Sequence, residues 1–365
     1  MIHLSEMLFL GGFIVFIIAI LVVDVLVIDR KAHAVSIKEA GTWTAVWITL
    51  ALAFSAFLWF HGDMVHGIHN FADLQAVASK YASHISLDPN DFEGSLQEYR
   101  HYMTVSYISG YLIEKALSVD NLFVMMMIFA SFGVGKEEYQ HVLNWGILGA
   151  IVLRFVFIFA GAAIISRFDW VLYLFGAFLV YSGVKMFFNR NKEENIDVGK
   201  HPLVRFLSKH FRVYPSFVGD RFFVRAEKTD SGYKIPESPQ KLKKGLLCIT
   251  PLFVTVLVIE FSDLIFAFDS IPAVFSVSLD PYVVFFSNIF AILGLRAMFF
   301  LLAAVADKFR YLQTGVCILL LFIGVKLLTH SVMHIDAVAS LVFILAVLVV
   351  SIGLSLIIPA KPEKK

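Results

Sequence analysis

Long apolar stretches alternate with shorter polar connections along the whole chain, and the apolar stretches set its architecture. Runs of about 20 apolar residues, the length that crosses roughly 30 Å of hydrocarbon as a helix, recur from one end to the other. Nine spans are predicted, at 7–28, 43–60, 103–129, 141–163, 170–188, 246–275, 282–304, 310–328 and 335–358. The fold class is therefore an all-α polytopic integral membrane protein with about nine transmembrane helices. The first run, Met7 to Ile28, is too long for the apolar part of a cleavable signal and has no basic flank before it, so it is expected to stay as a span.

The polar residues inside the spans repeat. Ile113-Glu114-Lys115-Ala116-Leu117-Ser118-Val119-Asp120-Asn121 aligns with Ser262-Asp263-Leu264-Ile265-Phe266-Ala267-Phe268-Asp269-Ser270, so that Glu114 matches Asp263, Asp120 matches Asp269 and Asn121 matches Ser270. Further on, Gly149 to Arg154 resembles Ala291 to Arg296, and Gly183-Val184-Lys185 resembles Gly324-Val325-Lys326. Spans 3–5 thus recur as spans 6–8 in the same order, and because three is odd the second copy is inverted in the membrane. The chain divides into two spans and an acidic, histidine-rich outer loop (1–102), a first three-helix repeat (103–188), an insertion (189–245), a second, inverted repeat (246–328), and a last span with its tail (329–365). Within the insertion, Phe222 to Arg225 followed by Thr229 to Tyr233 reads as a strand and a turn, hence a small hairpin.

Composition agrees: 59% of the 365 residues are hydrophobic and 16% charged. A net charge of +1 offers no basic surface for a nucleic acid. Cys248 and Cys317 lie in apolar runs without a Cys-x-x-Cys pair, which excludes a disulfide framework and a thiol redox motif. Connections alternate in charge. Arg30, Lys31 and Lys38 follow the first span, the 189–245 insertion holds 13 Lys/Arg, and the tail ends in Lys361, Lys364 and Lys365. The 61–102 connection instead has six acids against Lys80 and Arg100, which sets the amino terminus outside and the carboxyl terminus in the cytosol.

Ionised carboxylates at bilayer depth cost about 2.5–3.5 kcal/mol even on the lenient insertion scale. Glu114, Asp120, Glu260, Asp263 and Asp269, with Asp24 in the first span, therefore read as a cation site built twice, Asn121, Ser118 and Ser270 adding oxygen ligands. Pro272 removes a helical donor and points to broken backbone in span 6. On an unbroken helix Asp263 and Asp269 lie about 240° apart, so both line one site only if the helix breaks or the site wraps around it. Oxygen ligands suit Mn²⁺, Mg²⁺ or Ca²⁺ and do not rank the three. Lys115, Arg154 and Arg296 are candidates for neutralising some of the acids as buried ion pairs. In the outer loop, His66 and His69 could share a helical face and, with His61, receive or relay a metal.

Three stretches, Gly110 to Asn121, Glu260 to Ala273 and Asn288 to Arg296, resemble the TerC/Alx family of bacterial integral membrane proteins. The likeness to its Alx-like branch runs nearly end to end and includes Phe222-Phe223-Val224-Arg225, while the 61–102 loop is longer and richer in histidine than that branch leads one to expect. The resemblance implies a manganese exporter of the bacterial inner membrane. It also implies functional acids at Asp24, Glu114, Asp120, Glu260, Asp263 and Asp269. On this reading the partners are Mn²⁺ as cargo, the lipid bilayer and the secretion machinery, with no nucleic acid, no resident cofactor and no catalytic residue. An intramembrane aspartyl enzyme using Asp120 and Asp269 is disfavoured, because the Tyr-Asp and Gly-x-Gly-Asp contexts are missing. The alternative function is a non-transporting platform that supplies metal to secreted enzymes or modulates a redox or pH response.

Overall fold

A computed structural model describes residues 4–28, 36–168, 170–189, 201–229, 232–234, 245–305, 311–329, 332, 335 and 337–357. Helices α1 (Leu4–Ile28) and α2 (Ile37–His61) are followed by a 3-10 turn (Gly62–Val65), the short helix α3 (Phe71–Tyr81) and the long helix α4 (Phe92–Phe132). Helices α5 (Tyr139–Ile165), α6 (Trp170–Asn189) and α7 (Pro202–His210) come next, then strands β1 (Phe223–Thr229), β2 (Gly232–Lys234) and β3 (Leu246–Ile249). The second half holds α8 (Pro251–Phe275), α9 (Pro281–Leu293), α10 (Leu295–Val305), α11 (Leu312–Leu328) and α12 (Ala337–Ile357).

Among the described residues, six helices, α1, α2, α5, α6, α8 and α12, are long and apolar enough to cross a membrane, and α9 with α10 forms a seventh candidate bent by 46°. The protein is an all-α polytopic membrane protein. Many of its large apolar side chains point outward, among them Leu8, Val15, Val152, Val156, Val342 and Leu356, as acyl chains require. Helix α4, 41 residues long, runs through the centre and packs on α2, α8, α9 and α12. Several hydroxyls inside the spans are turned back onto their own helices, as when Thr49, Ser109 and Ser262 donate to the carbonyls of Ala45, Val105 and Val258.

Local sequence sets the helix ends. Thr250-Pro251 and Asp280-Pro281 each place a capping oxygen before a proline at the first helical position, where its missing N–H costs nothing. Two expectations need correction. The predicted span at 246–275 begins as strand β3, and the helix starts only at Pro251. That helix runs unbroken through Asp263 and Asp269 with Pro272 inside its last turn. The break lies instead at Gly294 in the following span, where the Lys115 ammonium on α4 donates to the Ala291 carbonyl at 2.9 Å and so satisfies an end of α9 that lipid could not.

Helices α6 and α11 pack along their length. A side chain on Gly176 would meet the Gly324 carbonyl at 2.9 Å, and one on Gly183 would meet the Cys317 carbonyl at 3.2 Å. The two contacts run in opposite senses along the helices, so α6 and α11 pack antiparallel.

The insertion forms a three-stranded antiparallel sheet of order β2-β1-β3. Its Phe222 stacks on His141 near the start of α5, with ring centroids 4.6 Å apart. At the other end of the helices, the α2–α4 and α8–α9 connections meet the amino-terminal end of α1. Arg30, Lys31, Lys361, Lys364 and Lys365, on which the orientation rests, lie outside the described residues.

Candidate functional site

Arg154 is the hub of the membrane interior. It projects from α5, 1% exposed, into the space between α4, α8 and α9. Its Nη1 donates to Glu114 Oε1, to Asn288 Oδ1 at 2.6 Å and, more loosely, to Ser270 Oγ at 3.4 Å. Its Nη2 reaches Asp263 Oδ1 at 3.4 Å. The amide of Asn288 is oriented by its own Nδ2, which donates to the Val284 carbonyl at 3.0 Å. A planar guanidinium fork suits this task, because it can face several oxygens at once.

The network is incomplete. Glu114 Oε2, Asp263 Oδ2, both oxygens of Glu260 and Arg154 Nε are buried without a hydrogen-bond partner. Glu260 lies one turn before Asp263 on α8, and the two line a cavity of about 10 Å³ with Arg154, Arg296, Gly146 and Met125. A methyl group on Gly149 of α5 would overlap the Glu260 carboxylate, so glycine makes room for it there. Unmade partnerships of this kind, each costing about 1–3 kcal/mol or more for a charged group, mark a region organised for something other than stability.

The structure sorts the eight predicted residues rather than gathering them. Glu114, Asp263 and Ser270 meet at Arg154, and Glu260 joins them across the cavity. Asp269 faces elsewhere: it accepts from Ser182 Oγ on α6 at 2.8 Å, because six residues of unbroken helix carry it about 240° around from Asp263. On continuous α4, Asp120 is turned about 240° from Glu114, whereas Asn121, two turns on, returns to within about 20° of the Glu114 face, and the hydrogen bonds of Arg154 go to neither. Asp24 falls on α1, and its side chain lies outside the described residues, as does Asp29. A single cage of all the acids is therefore not what forms. Among the described residues, no three His, Cys, Asp or Glu side chains stand close enough to hold a metal ion. Sequence reasoning foresaw an ion-paired Arg154 but missed Asn288 and Ser182. Their only signal was polarity within an apolar span.

A second buried cluster sits where the connections meet. His66 Nδ1 lies 2.8 Å from Glu6 Oε1 and its Nε2 lies 2.8 Å from Asp280 Oδ2. The rings of Tyr282 and Tyr81 pack on it with centroids at 5.2 and 5.4 Å. Burial pulls the pKa of His66 down, but the facing Asp280 and Glu6 carboxylates outweigh that and lift it to about 9. The expected shared helical face of His66 and His69 is corrected here. His66 has both ring nitrogens engaged, His61 and His69 are exposed, and His66 and His69 sit in a connection, not on one helical face.

Comparison with known proteins gives a coherent result. The family described as "Integral membrane protein TerC family" matches residues 99–363. A Salmonella typhi protein named "Putative membrane-bound redox modulator Alx" is 40% identical over 97% of this chain and 96% of its own length. Its namesake in Escherichia coli K12 is 42% identical over 93% of this chain and 92% of its own length. An uncharacterized Myxococcus xanthus membrane protein is 41% identical over 95% and 91%. No solved structure matches.

Proposed function

Because the chain belongs to the TerC family of integral membrane proteins, we propose that it is a carrier that moves divalent manganese outward across the bacterial inner membrane. One observation carries this reading: four carboxylate oxygens, on Glu114, Asp263 and Glu260, are buried and unclaimed around one arginine. Oxygen donors of this kind suit a hard divalent cation, and the choice of manganese comes from the family resemblance. The match of Glu114, Asp120 and Asn121 to Asp263, Asp269 and Ser270 supports alternating access between two related halves. Burial favours a neutral carboxyl and a bound dication favours the carboxylate, so protons compete with the metal and couple its release to the pH gradient. In this reading the protein is not an enzyme and uses no cofactor beyond its cargo. Its amino terminus lies outside and its carboxyl terminus in the cytosol.

The test is Mn²⁺ uptake into inverted membrane vesicles, with and without an imposed pH gradient, for the wild type and for Asp263→Asn. Gradient-dependent uptake that the substitution removes is the expected result. Uptake no higher than in empty vesicles, with folded protein present, removes the carrier reading.

A second reading starts from the folded insertion, with the relatives' name of redox modulator beside it: a non-transporting platform, working with the secretion machinery, that supplies metal to exported enzymes or modulates a redox or pH response. Replacing 212–244 by a short linker separates the two. Intact flux with unmetalated secreted enzymes favours the platform, and lost flux favours the carrier.

A further inference from the structure

The oxygens around Arg154 are a cation's ligand set. Two carboxylates, one amide oxygen and one hydroxyl, from Glu114, Asp263, Asn288 and Ser270, surround it from three helices. Building on the carrier reading, we propose that Arg154 is a tethered cation that fills the substrate's place between transport cycles and gives way by moving its guanidinium to Glu260.

Three features support the exchange. The hold on Arg154 is uneven, since its contacts to Asp263 and Ser270 are 3.4 Å long and its Nε has no partner. A second berth exists, because Glu260 presents two buried, unclaimed oxygens to the cavity that Arg154 also lines. Charge is balanced once the cargo is bound. As the dication enters between Glu114 and Asp263, the displaced guanidinium meets the carboxylate of Glu260, so neither is left bare at low dielectric, where an unpaired charge is costly. The cavity of about 10 Å³ has room for about one water molecule, too little for a guanidinium to pass between rigid helices. The swap therefore requires α5 and α8 to move apart, which ties cargo binding to the conformational change. Arg154 is in this sense a positioning residue: it keeps the emptied site from collapsing onto its own negative charge and expels the ion.

A double-mutant cycle on purified protein tests this, reading Mn²⁺ affinity by titration calorimetry and turnover in proteoliposomes. Arg154→Gln removes the internal competitor, so Mn²⁺ is expected to bind about ten-fold tighter or more while turnover falls. Glu260→Gln removes the berth and is expected to weaken binding. Adding Arg154→Gln to Glu260→Gln should restore it, a strongly non-additive pair. A purely structural ion pair predicts weaker binding in both single variants and additive effects, and that result overturns the proposal. If Arg154→Gln does not fold, Arg154→Lys in the same cycle decides, since a more compact cation is expected to show weakened competition in the same direction. A wild type that binds no Mn²⁺ defeats the carrier reading itself. A wild type that binds, with additive variants, defeats only the exchange.

Discussion

Two buried charge clusters in this protein have opposite characters. Where the α2–α4 and α8–α9 connections meet α1, Glu6, His66 and Asp280 form a closed bridge in which each imidazole nitrogen has a carboxylate at 2.8 Å. At mid-membrane, Arg154 faces Glu114 and Asp263 with several polar atoms unclaimed. Fully satisfied buried networks rigidify a fold, while unpaired groups in partly satisfied ones are costly. The first cluster joins residues 60 and 214 positions apart and acts as a clasp on the helix ends. The second keeps interaction capacity in reserve where a cation can use it.

The contrast is broken most severely at its tightest contact. Glu114→Ala leaves Arg154 buried with its main partner gone, and the expected cost is about 3–5 kcal/mol, read as a fall in unfolding midpoint in detergent. A negligible change would mean that the hub is already hydrated. The clasp offers a pH test. His66 has its folded value raised from 6.5 to about 9, so its stabilising contribution is complete below pH 6.5 and is lost as pH rises through 9. Thermal unfolding from pH 6 to 10 should show this decline in the wild type and a flatter profile in His66→Gln. Equal slopes would assign the pH dependence to other groups. The smallest effect is expected at Asp269→Asn, which keeps an acceptor for Ser182 and should cost about 1 kcal/mol or less. Its loss of vesicle uptake should also be smaller than that of Asp263→Asn. Equal losses would extend the ion's path around both faces of α8.

Much of this was readable from residue order. Apolar runs located most helices, although α4 begins at Phe92, well before the predicted start at 103, and the matched Gly183 and Gly324 both lie where α6 and α11 approach closely. The spacing of Asp263 and Asp269 already implied that an unbroken helix would separate them. Sequence offered Arg154 as an ion-pair candidate without saying which acids it meets, and it missed Ser182 on the other face. Those partners lie 109 and 87 positions away and only packing selects them. Pro272 was a misleading guide because it sits within four residues of the end of α8, where few helical bonds remain to be lost. The break at Gly294 depends on Lys115 from another helix, and nothing local announces it. The clasp was invisible for the same reason, since His66 lay among solvated-looking histidines.

The short junction between β3 and α8 has a mechanical consequence. Ile249 pairs with Phe223, donates its N–H to the Arg212 carbonyl at 2.9 Å and accepts from Tyr214 N at 2.8 Å, while Thr250 N is bonded to the Phe222 carbonyl at 2.9 Å. The helix begins at the next residue, Pro251, so there is no slack between sheet and helix. Glu260 stands nine residues further on, about 14 Å along a stiff rod at 1.5 Å per residue. The sheet and α8 thus behave as a crank: a load applied to the insertion arrives as displacement at the buried acids, with no flexible segment to absorb it.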